Sequence, residues 1–583
     1  MVVKICTGFQ VHSREVHLHR VELSDSMIIE SQRNKCKSAH VTAGKSGITT
    51  FGLLRSLTAT TTMLLPSSLI PLSNAFQWLG GPQIPLQNSF APSQVYNTFD
   101  GQGFPACNAV FQIFTPSTVG EMTAIVKAAS AQGVPVRASG NAHMWHDTMC
   151  SDDPRTVIIK TDAVNGISDL RMDGNGGSVV VEAGVTFPQV AQWLQDRGAA
   201  LGYTLVNWNI TLGGAIAMGA HRSSLREDSQ VSAAALSMDI VNGNGDLVHI
   251  EKGDTDTWLA ATTSLGLLGI IARIEIEVLP DYKVWANQTT VDEEDVLAED
   301  YDMFAEISPY VTANYWWWPS VKKFHLRTYG VLPVNTSGNA FQSTFSVTPA
   351  EGNLAHALLN AGQNSSTANF VSADVFYRLW ASPNFHETKL NLPLFSWPVV
   401  GHAYDVLIGG LYPNTKPEWE YDLHGKTLEL AVPIPDAGRL LRRVRELLDQ
   451  SEEEGMAVTS TYRSGINIKF GKPFDSFLGQ TTQRVGNVTA DWSKGAMMFD
   501  FPSFVPTTGD HHRYNEAWYG MLAKTLIDEF PVRPHWTKNT REVFSQALKN
   551  LDEDSLRRFA VVREQFDPHK TFRSVVGEII GVV

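Results

Sequence analysis

The chain has little cysteine, and its cysteines are not spaced for a metal site or a redox pair. Cys6, Cys36, Cys107 and Cys150 are the only four in 583 residues, and no two of them form a CxxC pair. A zinc site or a thioredoxin-like centre therefore has no support, and we expect no metal. A disulfide between Cys107 and Cys150 is compatible with a secreted protein, but spacing alone leaves the pairing open.

The chain is also poor in positive charge, and it lacks the fingerprint of a dinucleotide-binding fold. The 46 Lys and Arg residues are outnumbered by 60 Asp and Glu, giving a net charge of −14. This balance argues against nucleic acid or an anionic membrane surface as the main partner. A GxGxxG loop after a strand, followed by an acidic residue about 20 positions later, is missing, so a Rossmann fold is not expected. A globular chain of 583 residues is too long for one core and predicts at least two domains.

Residues 1–75 are predicted to be a leader. The nearly uncharged stretch 53–72 ends before Ala75 in small residues and resembles a secretory signal peptide that begins late. Pro66 and Pro71 interrupt it, so no obligate membrane span is expected. We expect a secreted or secretory-pathway protein, with a mitochondrial or other organellar location as the alternative. Five glycosylation sequons suit the secretory route: Asn209, Asn287, Asn335, Asn364 and Asn487.

Local patterns predict a mixture of helices and strands. Thr118 and Glu121 have the spacing of a capping box and open a helix with one apolar face. The turn Asn242-Gly243-Asn244-Gly245 predicts a hairpin between strands 235–241 and 247–251. An amphipathic helix is predicted at about 437–454, after a strand at 427–433. The order of these elements is that of an α+β protein.

A predicted strand is followed by a loop of small residues at 139–144. Gly140 and Ala142 let the backbone come close to a ligand, and successive N–H groups in such a loop can form a nest for phosphates. His143 then stands where a cofactor ring could lie against it. Taken alone, this pattern also fits a structural loop.

Two further segments point to a family. Thr211–Ser224 contains Gly213, Gly214 and His221, and Arg533–Lys538 reads Arg-Pro-His-Trp-Thr-Lys. With the loop at His143, and in this order, they resemble the aldonolactone and alditol oxidases. These belong to the superfamily of FAD oxidases typified by vanillyl-alcohol oxidase. The resemblance spreads over roughly residues 95–575.

The resemblance implies an architecture. A two-lobed FAD-binding domain of the PCMH type is expected at 76–284, and a substrate-binding cap domain with a large antiparallel sheet at 285–505. Residues 506–583 are expected to form a C-terminal segment that returns to the flavin site. The fold class is therefore α+β.

The resemblance also implies FAD as the cofactor. His143 falls where the family carries a histidine bonded covalently to the flavin, and His146 is the competing candidate. Tight non-covalent FAD is the other alternative. The implied cofactor-binding residues are Ser139, Gly140, Asn141, Ala142, His143, Met144, Gly213, Gly214, Ala217, Gly219, His221, Ile271, His535 and Lys538.

The expected catalytic residues are Lys538, Lys469 and Asn467. Lys538 matches a family lysine beside the flavin, where a cation could stabilise negative charge. Asn467 and Lys469 stand where the family has a Glu-x-Arg pair, and strand alternation puts both on one face. Asn cannot act as a base and Lys lacks the planar fork of Arg, so a simple hexonolactone or alditol is less expected as substrate. Asp500 is a further candidate base.

Two other departures bear on the pocket. Arg222 replaces a family glycine, where it could meet a phosphate or narrow the pocket. The run Trp316–Trp318 suggests a more apolar or aromatic substrate, or equally a buried hydrophobic cluster.

The predicted function is FAD-dependent oxidation of a CH–OH group of a small molecule, with O2 as acceptor and H2O2 as product. The substrate would be a sugar lactone, a polyol or another alcohol. The alternative is an FAD-linked oxidoreductase of secondary metabolism that desaturates, couples or cyclises a more apolar compound. A third hypothesis is a flavin-fold protein that only binds a ligand.

Overall fold

The computed structural model describes the chain from Val95 onward, with gaps. The described residues are 95–96, 105–107, 109–202, 210–342, 357, 366–383, 385–388, 390, 392–408, 424–454, 465–484, 490–505 and 516–583. The predicted leader and the sequons at Asn209, Asn364 and Asn487 lie outside them. In these ranges no helix has the length and apolar character needed to cross a membrane.

A small parallel sheet holds the loop of His143. Its strand order is β3-β5-β4, and α1 packs beside it with the predicted apolar face buried. Thr118 caps α1 by accepting from the Glu121 N–H. Cys107 and Cys150 form a disulfide, with their Cα atoms 5.4 Å apart. The elements are β1 (Val95–Tyr96), β2 (Pro105–Cys107), β3 (Gln112–Phe114), α1 (Val119–Ser130), β4 (Val136–Ser139) and β5 (Val157–Lys160).

A second sheet has the strand order β10-β9-β11-β7-β6, with β8 paired to β11. The predicted hairpin forms with the predicted bounds, because the Asn-Gly turn fixes its register. This sheet and the parallel one are the two lobes expected of the FAD-binding domain. The elements are β6 (Ile167–Met172), β7 (Gly177–Glu182), α2 (Phe187–Gln195), β8 (Ala199–Ala200), α3 (Leu212–Ala217), β9 (Ala235–Val241), β10 (Leu247–Glu251), α4 (Asp256–Ala261) and β11 (Ile270–Pro280).

An eight-stranded antiparallel sheet follows, in the order β18-β12-β14-β13-β20-β21-β19-β22. It confirms the large antiparallel sheet and the α+β class. Its last strand comes from the C-terminal segment. The domain limits 76–284, 285–505 and 506–583 stay predictions.

The elements of this part, in chain order, are β12 (Lys283–Asp292), α5 (Glu293–Val296), α6 (Met303–Ile307), β13 (Thr312–Trp318), β14 (Lys323–Leu332), β15 (Ala340–Gln342), α7 (Ser366–Ala381), β16 (Phe385–Glu387), β17 (Leu392–Pro393), β18 (Val399–His402), α8 (Ala403–Leu407), β19 (His424–Pro433), α9 (Ile434–Glu453), β20 (Ile466–Gly471), β21 (Ala496–Val505), α10 (Glu516–Glu529) and β22 (Arg533–Pro534). Strands β15, β16 and β17 form a small separate sheet. The chain ends with α11 (Arg541–Ala547), α12 (Glu553–Phe566) and α13 (Val575–Ile579).

The two faces of the large sheet differ in chemistry. Leu428 and Leu430 of β19, with Ile466 and Ile468 of β20, pack into one core with helices α9 and α10. Because side chains alternate along a strand, the residues between them face the other way. That second face carries the polar residues of the site.

The tryptophan run divides between the two faces. Trp317 lies in the core under α9 and α10, and Trp318 is also fully buried. Trp316 faces the polar side and is half-buried. The run is therefore largely a buried hydrophobic cluster, and Trp316 is its partly exposed member.

Candidate active site

Glu429 of β19 lies at the centre of a buried charge cluster. Its side chain is 0% exposed, and both carboxylate oxygens accept hydrogen bonds. His221 Nε2 donates to Oε1 at 2.7 Å, and Lys538 Nζ donates to Oε2 at 2.6 Å. The site thus joins a residue of the FAD-binding half to one of the C-terminal segment.

Asp500 and Lys469 complete the cluster. Lys538 Nζ also donates to Asp500 Oδ2 at 2.6 Å, and Thr427 Oγ1 donates to Asp500 Oδ1. Lys469 Nζ lies 3.7 Å from Asp500 Oδ2 and 3.9 Å from Glu429 Oε2, beyond a short hydrogen bond. Two lysines and two carboxylates therefore lie together in one cluster.

The pKa values in this cluster are shifted by burial and by neighbouring charges. Burial alone would raise the pKa of Glu429, but Lys538 and His221 hold that pKa well below its ordinary value. Burial opposes the charge of Lys538, yet Asp500 and Glu429 raise its pKa. For Lys469, burial and then the charge of Lys538 lower the pKa. The charged form of Lys538 is hence stabilised by its neighbours, whereas the charged form of Lys469 is disfavoured.

Both ring nitrogens of His221 have an oxygen neighbour. Its Nε2 lies 2.7 Å from Glu429 Oε1, and its Nδ1 lies 3.1 Å from the carbonyl oxygen of Arg222. The ring orientation is therefore fixed beside the buried carboxylate.

The segment from His535 to Asn539 is fixed by backbone contacts to β19. The His535 N–H and the Asn539 amide both donate to the Glu429 carbonyl, at 3.0 and 2.8 Å. His535 Nδ1 accepts from the Thr537 N–H at 3.2 Å, and burial holds the pKa of His535 well below its ordinary value. Trp536 is buried and stacks on Phe544. Lys538 is positioned by this rigid turn.

The loop of His143 is tied to the same segment. The Trp145 N–H donates to the Thr537 carbonyl at 2.9 Å. Trp145 is two positions after His143, and Thr537 directly precedes Lys538. A Cβ on Gly140 would stand 2.2 Å from Thr211 Oγ1, so the loop packs on the start of α3. The three predicted segments therefore meet in space.

The loop fits a phosphate-bearing cofactor. Ala142 has a φ of +52°, a left-handed conformation that turns its N–H away from a regular ladder. The N–H groups of Gly140 and Ala142 have no backbone acceptor in the described part of the chain. Such N–H groups form a nest for anions. Ser139, Asn141, His143 and Met144 are half-buried around it.

Other predicted cofactor residues have structural reasons for their identity. A Cβ on Gly213 would lie 2.6 Å from the Ala183 Cβ, so this glycine is required by packing between α3 and the second sheet. Gly219 has a φ of +66° at the end of α3. Ala217 and Ile271 are buried in the core of that lobe. Gly214 is half-buried.

Arg222 is bound by residues of its own neighbourhood. Its guanidinium donates to Glu227 Oε2 at 2.7 Å and to the Gly202 carbonyl at 3.0 Å. The departure from the family glycine is thus accommodated by an ion pair. His146 Nε2 lies 3.1 Å from the Thr427 carbonyl, which holds this ring against β19.

Asn467 and Lys469 share one face of β20, as strand alternation predicts. Ile466, Ile468 and Phe470 occupy the opposite, buried face. In the strand register Asn467 lies opposite Asp500. Both predicted residues are therefore at the cluster.

Three residues of the cluster have the donor atoms of a metal site. One ligand atom from each of His221, Glu429 and His535 lies within 4.8 Å of the others. However, both Glu429 oxygens already accept hydrogen bonds, one of them from the Lys538 ammonium. We therefore assign these residues to charge organisation.

Sequence reasoning missed Glu429. The signal is a single acid among the apolar residues Leu428, Leu430 and Val432 of β19. Asp500 shows the same pattern on β21, between Phe499 and Phe501. An isolated acid in such a strand requires a buried cation, which the sequence places more than 100 residues away, at Lys538.

Two family models match the chain at positions that agree with this geometry. The model described as an FAD binding domain matches residues 112–251, and that of D-arabinono-1,4-lactone oxidase matches residues 422–578. L-gulonolactone oxidase 2 of Arabidopsis thaliana is 24% identical over 496 residues, which are 80% of this chain and 80% of the relative. The chain contains an FAD binding domain and a D-arabinono-1,4-lactone oxidase domain. It is an FAD-dependent oxidoreductase similar to the aldonolactone oxidases.

A further relative and two solved structures are also similar to this chain. D-arabinono-1,4-lactone oxidase of Eremothecium gossypii is 32% identical over 213 residues, covering 36% of this chain and 39% of the relative. The solved structure of a solvent-stable cholesterol oxidase has a TM-score of 0.64 and 16% identity, over 81% of this chain and 95% of that chain. The solved structure of a chitooligosaccharide oxidase has a TM-score of 0.52 and 13% identity, over 83% of this chain and 93% of that chain. At these identities the solved structures show the fold alone.

Proposed function

We propose that this FAD-linked oxidase removes two electrons from a CH–OH group of a sugar lactone or polyol and passes them to O2, giving H2O2. The observation that carries the proposal is the Glu429–Lys538–Asp500 cluster, which lies against the loop of His143. A buried, charge-balanced cluster of this kind can orient hydroxyl groups and stabilise charge that develops on oxygen.

Bound FAD supplies the acceptor for a hydride. The protein residues organise the alcohol. Lys538 is held between Glu429 and Asp500 and provides a fixed positive charge. Lys469, whose pKa is lowered and whose side chain is 19% exposed, is the group best placed to accept the hydroxyl proton.

Turnover tests this reaction. The purified holoenzyme is supplied with aldonolactones and alditols in air, and H2O2 is measured against substrate consumed. Equal amounts of product and H2O2 are expected. Oxidation that requires an artificial dye and releases no H2O2 would contradict O2 as the acceptor.

We also propose that His143 bonds covalently to the flavin. The support is the position of His143 in the small-residue loop next to Ala142, where the resembling family carries its flavin-linked histidine. Acid precipitation of wild-type protein is expected to leave yellow flavin in the pellet. H143A is expected to release it to the supernatant, whereas H146A keeps it bound. Retention in H143A would contradict this assignment.

A secretory location remains our proposal, supported by the Cys107–Cys150 disulfide, because such bonds persist in oxidising compartments. Asn335 is exposed and suits a glycan. Secretion from a eukaryotic host and a glycosidase-sensitive mass shift would test it. Recovery in an organelle would favour the alternative.

A second candidate function is oxidation of a more apolar secondary metabolite. It is favoured by Trp316, which is half-buried on the polar face and lies opposite Asn467 in the strand register. Turnover of simple aldonolactones or polyols would argue against it.

A further inference from the structure

A row of side chains crosses the large sheet on the face that carries the charge cluster. In the strand register Glu429 lies opposite Asp500, and Asp500 lies opposite Asn467. Asn467 then lies opposite Trp316, and Trp316 lies opposite His325 of β14. Residues directly opposed in antiparallel strands have their side chains on the same face. The row therefore leads away from the charge cluster across four strand boundaries.

The far half of this row has unused hydrogen-bonding atoms. Asn467 Oδ1, Trp316 Nε1 and His325 Nε2 are buried and find no partner among the described residues. His325 is 0% exposed, and its Nδ1 accepts from Trp318 Nε1 at 3.2 Å. Its Nε2 must then carry the ring proton. The row presents one acceptor and two donors, and buried polar groups of native proteins are normally paired.

Aromatic rings of helix α7 lie over these atoms. Trp380 stacks on Trp316 with ring centroids 5.0 Å apart, and Tyr377 stacks on His325 at 5.0 Å. Gln288 Nε2 donates to the Trp380 carbonyl at 2.8 Å, which fixes the end of α7 to β12. Polar atoms beside flat aromatic faces match a sugar ring, which has hydroxyl edges and C–H faces.

We propose that Asn467, Trp316 and His325 form a subsite for a second sugar ring, so that the substrate is a lactone or polyol that carries a further hexose. The inference rests on the proposed function, because the reacting hydroxyl group lies at the charge cluster. Asp500 and His325 are separated by three strand intervals, about 14 Å, which is longer than a single lactone ring. A second ring that meets these atoms has to displace the Tyr377 and Trp380 rings that cover them.

Matched substrates test the subsite in the holoenzyme. Sorbitol is compared with maltitol, and gluconolactone with cellobionolactone, by H2O2 release and by binding measured as a perturbation of the flavin spectrum. We expect at least a tenfold higher kcat/KM, and tighter binding, for each two-ring compound. Equal kcat/KM and equal binding for both members of each pair would overturn the proposal.

Variants locate the effect. W316F keeps an aromatic side chain but removes the Nε1 donor. It is expected to reduce the preference for two-ring substrates about fivefold. H325L is expected to do the same, while H325Q restores part of the preference because its amide can donate. The control is W285F, since Trp285 lies on the opposite face of the sheet, against Tyr310. A preference unchanged in W316F and H325L, or lost equally in W285F, would also overturn the subsite.

Failure of the proposed function is distinguishable from failure of the subsite. Turnover of the one-ring compounds without a two-ring preference contradicts the subsite alone. Two-ring binding that is weakened in W316F, without flavin reduction by any compound, supports the subsite and contradicts the proposed function.

Discussion

At the residue scale, the chemistry depends on how Glu429 is paired. A carboxylate with 0% exposure is stable only with compensating partners, and here His221 and Lys538 occupy its two oxygens. The sequence identified both partners from their motifs but not the acid between them. Motifs are local in the sequence, whereas the acid is recognised only once β19 lies beside β22.

Replacing Glu429 tests this pairing. E429Q keeps the shape but removes the charge, so Lys538 loses a counter-ion and His221 loses the carboxylate beside its Nε2. We expect a loss of about 3 kcal/mol in the free energy of unfolding and a 10²–10³-fold lower kcat. Denaturant unfolding and steady-state turnover measure the two effects.

A surface acid provides the control for E429Q. Glu446 pairs with Arg443 at 3.0 Å and its side chain is 65% exposed. E446Q is expected to stay within about 0.5 kcal/mol of wild type. If E429Q behaved like E446Q, the cluster would have no central role.

The proposed role of Lys469 predicts a pH dependence of kcat/KM. Because burial and Lys538 lower its pKa, kcat/KM of the wild type should rise with pH as the amine loses its proton, at a pH below the ordinary lysine value. Arg cannot lose its proton in this range, so K469R should lack the rising limb and turn over at least about 10²-fold more slowly. The pH profile of kcat/KM is the measurement.

The matched control for this profile is Lys472, which pairs with Asp228 at 3.2 Å at the surface. K472R should keep the wild-type profile. A rising limb that survives in K469R would assign the proton acceptor to another group.

At the scale of elements, local signals predicted local structure well. The hairpin of β9 and β10 and the apolar face of α1 follow from turn chemistry and helical periodicity. The row from Glu429 to His325 was not predictable, because its strands pair across long stretches of sequence. Register between distant strands is set by tertiary packing, which a single sequence does not display.

The packing of helix α3 against the second sheet depends on Gly213. G213A would place a Cβ 2.6 Å from that of Ala183 and force α3 away from the second sheet. We expect a loss of about 1–3 kcal/mol in the free energy of unfolding, and weaker retention of flavin in a dialysed sample. Thermal unfolding and the flavin-to-protein absorbance ratio report both.

The control for G213A is a helical glycine with open space. Nothing lies within 4 Å of a Cβ on Gly520 in α10. G520A should raise the free energy of unfolding by about 0.5–1 kcal/mol, because alanine favours the helix. Equal behaviour of the two variants would contradict the packing role of Gly213.

At the scale of the whole molecule, one site is assembled from both halves of the chain. The loop of His143 contacts the Thr537 turn, and the segment of His221 runs onto the large sheet, where the Ser224 N–H donates to the Phe470 carbonyl at 2.8 Å. Family motifs predicted this architecture because they mark its contact points. They did not predict the substrate, since the residues at the Glu-x-Arg position have changed to Asn467 and Lys469.

The most direct test of the proposed oxidation is an absorption spectrum of the purified protein, recorded without oxygen before and after adding a lactone or polyol from the panel. We predict a flavin spectrum that is bleached by substrate and returns, with release of H2O2, when air is admitted. A protein without flavin, or a flavin that no alcohol or lactone bleaches, would contradict it.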